Sequence, residues 1–103
     1  MKNQLLSDLK ALRRLMKPRK RWTKGEYWRT PDCYCIEGAC AMIAQDGNPF
    51  PHWPYNERLK GMFTALSHGL PYGRDLIKWN DRPWRKHADV LARINRAIAR
   101  VSA

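Results

Sequence analysis

The sequence predicts a mainly α fold, a compact bundle of about four helices with a short irregular or two-stranded β element, built as a single small basic helical domain over residues 1–103. Apolar residues recur at helical spacing in separate stretches, and proline- and glycine-rich segments punctuate those stretches. A 44% apolar content with five Trp supplies core material and sets the chain apart from a disordered basic tail. With 103 residues there is room for one core, which excludes a two-domain enzyme.

Leu5, Leu9, Leu12 and Met16 fall at helical intervals and predict a first helix over about residues 3–17, with Lys10, Arg14 and Lys17 aligned on its opposite side. Pro18 ends it, because proline clashes with the preceding turn and offers no amide hydrogen, and the run Arg19-Lys20-Arg21 follows at once. Residues 22–31 have no helical period, and Gly25 and Pro31 make them irregular or briefly extended. Asp32 then reads as the N-cap of a buried helix from Cys33 to Gln45, with Cys35, Ile36, Ala39, Met42 and Ile43 inward and Asp46-Gly47-Asn48-Pro49 as its stop.

Pro49, Pro51 and Pro54 stiffen a connector. Helical pattern resumes after Asn56, where Leu59, Met62, Phe63 and Leu66 form a stripe that stops at Gly69 before a Pro71-Tyr72-Gly73 turn. Residues 74–80 fit either one helical turn or a short strand. Asp81 and Pro83 resemble the start of a last helix, whose apolar stripe is Val90, Leu91, Ile94, Ala97, Ile98 and Val101. Its other side carries Arg85, Lys86, Arg93, Arg96 and Arg100 against Asp89, a second basic stripe.

Charge points to the class of partner. Lys and Arg number 20 against 9 Asp and Glu, for a net charge of +11, and residues 1–24 alone hold nine bases and one acid, Asp8. Cations held on a rigid face neutralise phosphates and release counterions, which gives sequence-independent, salt-sensitive affinity. The expected interface is Lys10, Arg13, Arg14, Lys17, Arg19, Lys20, Arg21 and Lys24, joined by Arg93, Arg96 and Arg100. The expected partner is DNA, RNA or a nucleoprotein.

Trp22, Trp28, Trp79 and Trp84 each adjoin an Arg or Lys, and aromatic faces beside cations hold single-stranded nucleic acids. Most of these indoles are expected in the core of so short a chain, with Trp22 the one available for stacking. The competing reading is an inhibitor that docks on an acidic surface of a host protein, electrostatics serving steering and specificity. A helix-turn-helix is disfavoured, since about ten residues separate the two internal helices where that motif uses three or four. A membrane-surface helix is disfavoured as well, because a small domain needs Leu5, Leu9, Leu12 and Met16 in its own core. The absence of a signal-like or spanning apolar run leads us to expect no membrane partner and a cytoplasmic location, the host cytoplasm if the protein is viral.

Catalytic chemistry is sparse. Cys33, Cys35 and Cys40 are odd in number and closely spaced, so they are expected to be reduced core thiols. Their spacing suits zinc poorly, and no metal or other cofactor is expected. A small cysteine-dependent enzyme is the third reading: Cys33 and Cys35 would sit in a helix's first turn, where the dipole lowers a thiol pKa, with His68 or His87 as base. Asp32, Glu37, Asp75 and Asp81 show no acid/base spacing, and there is no glycine-rich phosphate loop or G-x-S-x-G pattern. A non-catalytic role is expected.

The motifs Trp22-Thr23-x-Gly25, Cys35-x-x-Gly38-Ala39 and Trp79-Asn80-Asp81, with Val90-Leu91 and Ala97, resemble those of a family of short proteins of unknown function found in phages and bacteria. The resemblance spans residues 22–97 and leaves out the basic N-terminal helix; Trp84 after Pro83 departs from the pattern. It implies a phage context and carries over no activity and no catalytic or binding residue; the competing inhibitor reading then takes a host protein or a host defence complex as its target. In physical terms the motifs read as architecture, with Gly38 permitting close backbone approach and Asn80 and Asp81 capping the last helix.

Overall fold

A computed structural model describes residues 2–25, 28–29, 33–47, 57–70 and 75–103. Its elements are α1 (Lys2–Met16), a 3-10 turn (Arg19–Arg21), β1 (Trp28–Arg29), β2 (Cys33–Tyr34), α2 (Ile36–Ala44), α3 (Glu57–Leu66), α4 (Asp75–Asp81) and α5 (His87–Ser102). The fold is mainly helical, with α1 packed against α2, α3 and α5. Asp32, the prolines at 49, 51 and 54, and the 71–73 turn lie outside the described residues.

The expected stripes build the core. Leu9, Leu12 and Met16 of α1, Leu59, Met62 and Leu66 of α3, and Val90, Ile94 and Ala97 of α5 are 2% exposed or less, and Ile36, Ala39 and Cys40 of α2 lie among them. Removing such side chains from water, at about 25 cal/mol per Å², drives the assembly. Gly69, at φ +87°, stops α3 in the left-handed region that a side chain resists.

The structure corrects several expectations. The mainly helical fold has five α-helices among the described residues, and of the two readings open for 74–80 the helical one holds, as α4. The β element is a two-residue antiparallel ladder in which Trp28 faces Tyr34 and Arg29 faces Cys33, extended by a parallel bridge from Trp22 to Tyr34. The second helix starts at Ile36 instead of Cys33, since Cys33 and Tyr34 belong to that ladder; Cys35 is the N-cap, its Sγ accepting from the Gly38 amide at 3.4 Å. The last helix starts at His87. Asp89 Oδ2 accepts there from the Lys86 amide at 2.9 Å, while Asn80 and Asp81 close α4 and face other segments.

Candidate nucleic-acid interface

A buried amide holds the framework of the site. Asn80 is 0% exposed, and its Oδ1 accepts from the Trp22 indole N–H at 2.8 Å and from the Ile36 amide at 3.1 Å. Its Nδ2 donates to the Thr23 carbonyl at 3.1 Å and to Asp81 Oδ1 at 2.9 Å, and that carboxylate also accepts from the Gly25 amide at 2.9 Å. Asn80 and Asp81 thus pin the 22–25 segment and the start of α2 to the end of α4, rather than capping the last helix. A buried polar group needs every partner it can find, and this one has four.

From this junction the basic loop reaches the α4–α5 turn. Lys24 Nζ donates to the carbonyls of Arg82 at 2.9 Å and Pro83 at 3.2 Å. Next to them Trp84 is 66% exposed, the one large apolar side chain so exposed among the described residues, with the Arg82 guanidinium 5.7 Å from its ring centre. Trp22 differs from its expectation as an exposed platform. It is half-buried, its N–H is held by Asn80, and Lys24 and the His87 ring lie 5.4 and 6.3 Å from its ring centre. Among the described residues the solvent-facing indole is Trp84, whose neighbours Arg82, Arg85 and Lys86 were the available sequence signal.

The cations of α1 face outward without acids. Asp8, the sole acid of residues 1–24, is 3% exposed and points inward, where Arg58 grips both its oxygens at 2.9 and 3.1 Å and also reaches Asp46 at 2.8 Å. These bonds hold the Arg58 guanidinium well above its ordinary range. Among the described residues, none of Lys10, Arg13, Arg14, Lys17, Arg19, Lys20, Arg21 or Lys24 pairs with a carboxylate. Lys10, Arg14, Lys17, Arg19 and Lys20 are exposed, and Arg13, Arg21 and Lys24 are half-exposed.

Helix α5 carries the second row. Arg13 Nη1 donates to Asn95 Oδ1 at 3.3 Å on one flank of α5, and on the other flank Arg93 Nη1 donates to the Leu66 and His68 carbonyls at 2.7 and 3.2 Å. Exposed Ala88, Ala92 and Ala99 of α5 lie at helical positions between Asn95, which meets Arg13, and the arginines at 93, 96 and 100. Arg100 Nη2 donates to the Ala65 carbonyl, so Arg93 and Arg100 cap α3 as well as adding charge. The guanidiniums of Arg85 and Arg93 lie 4.0 and 4.7 Å from the centre of the Trp79 ring, which links the row to the Trp84 turn. Burial, then the like charges of Arg96, Arg85 and Arg100, push Arg93 below its ordinary pKa.

Cys35 and Cys40 are buried and Cys33 is half-buried. Burial raises the Cys35 thiol to about 11, outweighing the lowering by the Gly38 and Glu37 amides, and drives Cys40 well above its usual value. Cys33 Sγ donates to the Lys20 carbonyl at 2.9 Å, tying β2 to the basic turn. Among the described residues no group of three His, Cys, Asp or Glu side chains is placed to hold a metal ion, and no helix is long and apolar enough to cross a membrane.

Compared with known proteins, residues 1–100 match the model of DUF6197, a family of unknown function. The match takes in α1, which lies outside the span of the sequence motifs. No curated protein and no solved structure matches the chain.

Proposed function

Since the chain belongs to this family of unknown function, no activity is inherited, and we propose from its own surface that it is a non-catalytic protein binding single-stranded nucleic acid. The observation that carries the reading is the exposed Trp84, tethered through Lys24 to a basic loop and helix free of carboxylate partners among the described residues. Single strands are held by cations that track the backbone and by aromatic faces that stack on bases, and both stand here on fixed elements. The contributing side chains are Lys10, Arg13, Arg14, Lys17, Arg19, Lys20, Arg21 and Lys24, with Trp84 as the stacking surface and Trp22 holding the 22–25 segment to Asn80. The phage-type context rests on the motif resemblance.

Titration of a fluorescently labelled single-stranded 12-mer tests the reading. Trp84→Ala is expected to weaken binding by about 1 to 3 kcal/mol, between about fivefold and 150-fold, with no change in thermal midpoint. Binding that ignores Trp84, or no binding at low salt, would overturn it. Capture of an acidic protein that survives nuclease treatment would instead favour docking on a host surface.

A further inference from the structure

We propose that the hollow between the end of α3 and the outer side of α5 is a site for a terminal phosphate, the phosphomonoester of a nucleotide or of a strand end. The hollow encloses about 330 Å³ and is lined by His68, Gly69, Arg93, Arg96 and Arg100. No carboxylate is among these residues, so three arginines line one space with no counter-charge among the described residues.

Their placement is already fixed. Arg93 is anchored on the Leu66 and His68 carbonyls and Arg100 on the Ala65 carbonyl, so neither fork has to be ordered when a ligand arrives. Each keeps further N–H groups: Arg93 Nε is buried and has no acceptor, a donor in want of a partner. Arg96 is exposed and contributes a whole guanidinium. The like-charge pressure on Arg93 from Arg96, Arg85 and Arg100 is what an entering anion would relieve.

Chemistry selects the ligand. Arginine forks match phosphate oxygens in bidentate geometry, and three of them suit a group that carries close to two negative charges at neutral pH. An internal phosphodiester carries one charge and is flanked by sugar on both sides, so it meets an open row of cations better than a hollow. A terminal phosphate can enter end-on. The Arg93–Trp79–Arg85 stack then leads from the hollow toward Trp84, giving a strand whose end is held here a path along α5. The strand-end arm rests on the nucleic-acid reading above; the nucleotide arm does not.

The experiment follows the arginine Nε–H resonances of the full chain during titration with inorganic phosphate, adenosine 5′-monophosphate or adenosine. In parallel it compares a 12-mer bearing a 5′-phosphate with the same 12-mer bearing a 5′-hydroxyl. Phosphate and the monophosphate are expected to shift Arg93 and Arg96, and adenosine to leave them in place. The phosphorylated 12-mer is expected to bind at least tenfold tighter, a preference removed by Arg96→Ala with the thermal midpoint unchanged. Shifts with the monophosphate and equal binding of the 12-mers support the site and assign it to small phosphates. Shifts with neither 12-mer bound also support it, while sinking the single-strand reading. No shift with phosphate or monophosphate, together with equal 12-mers, overturns it.

Discussion

Glu37 is a buried carboxylate in the first turn of α2, 8% exposed, whose Oε2 finds no hydrogen-bond partner among the described residues. Burial, and then the nearby charge of Asp81, raise its pKa from 4.5 to about 7. The folded state therefore holds this proton more tightly than the unfolded chain, so the burden on stability is absent below about pH 4.5, grows as pH rises and is complete above about pH 7. Glu37→Gln is expected to stabilise the protein by about 2 to 3 kcal/mol at pH 8 and to change little at pH 4.5, as read from urea unfolding at both values. A gain independent of pH would contradict this account. The motifs around Trp22, Cys35 and Asn80 were legible as architecture, but not that one amide joins them, because hydrogen bonds across 44 to 58 residues leave no local pattern. The choice between Trp22 and Trp84 was illegible for a similar reason: both have cationic neighbours in sequence, and only the fold decides which ring is covered.

Helix ends explain where many of the positive charges go. The carbonyl of Met16 at the end of α1 accepts from His87 Nε2 at 2.7 Å, that of Ile43 in α2 from Arg58 at 3.0 Å, and those of Leu66 and Ala65 in α3 from Arg93 and Arg100. In α4 the Trp79 carbonyl accepts from Arg85 at 2.7 Å. Each of these side chains donates to a carbonyl at the negative end of a helix dipole. Sequence gave the approximate extents of α1, α3 and most of α5, where 3.6-residue periodicity is strong, but it could not distinguish such caps from free surface charge. It left α4 open between a helical turn and a strand, since its seven residues offer few apolar positions, and placed the start of α5 too early because Asp81-x-Pro83 imitates a helix start. Arg58 joins two helices to a buried acid, so its loss should be felt strongly. Arg58→Ala leaves Asp8 buried without its counter-charge, held only by Gln4 Nε2 at 2.9 Å, and is expected to cost about 3 to 5 kcal/mol in chemical denaturation. A cost below about 1 kcal/mol would show that Asp8 is solvated after all.

Across the whole molecule, charge and core are arranged on opposite sides of α1: the leucines and Asp8 turn inward, and the cations turn outward. That separation was legible from helical spacing, whereas the contact of Arg13 with Asn95 depends on which neighbour covers each flank of α5. Replacing Lys10, Arg14 and Lys17 together by Gln is expected to reduce the slope of log affinity against log salt by about 2 for a single strand, at about 0.7 per phosphate contact, with unfolding unchanged. An unaltered slope would place the contacts elsewhere on the surface. The junction at Asn80 has a further consequence for how the molecule breathes. Because the 22–25 segment, the start of α2 and the end of α4 share one side-chain amide, none of them can open toward solvent without releasing the others. The Trp22 indole proton and the Ile36 amide should accordingly exchange with deuterium at a common rate, as one cooperative unit.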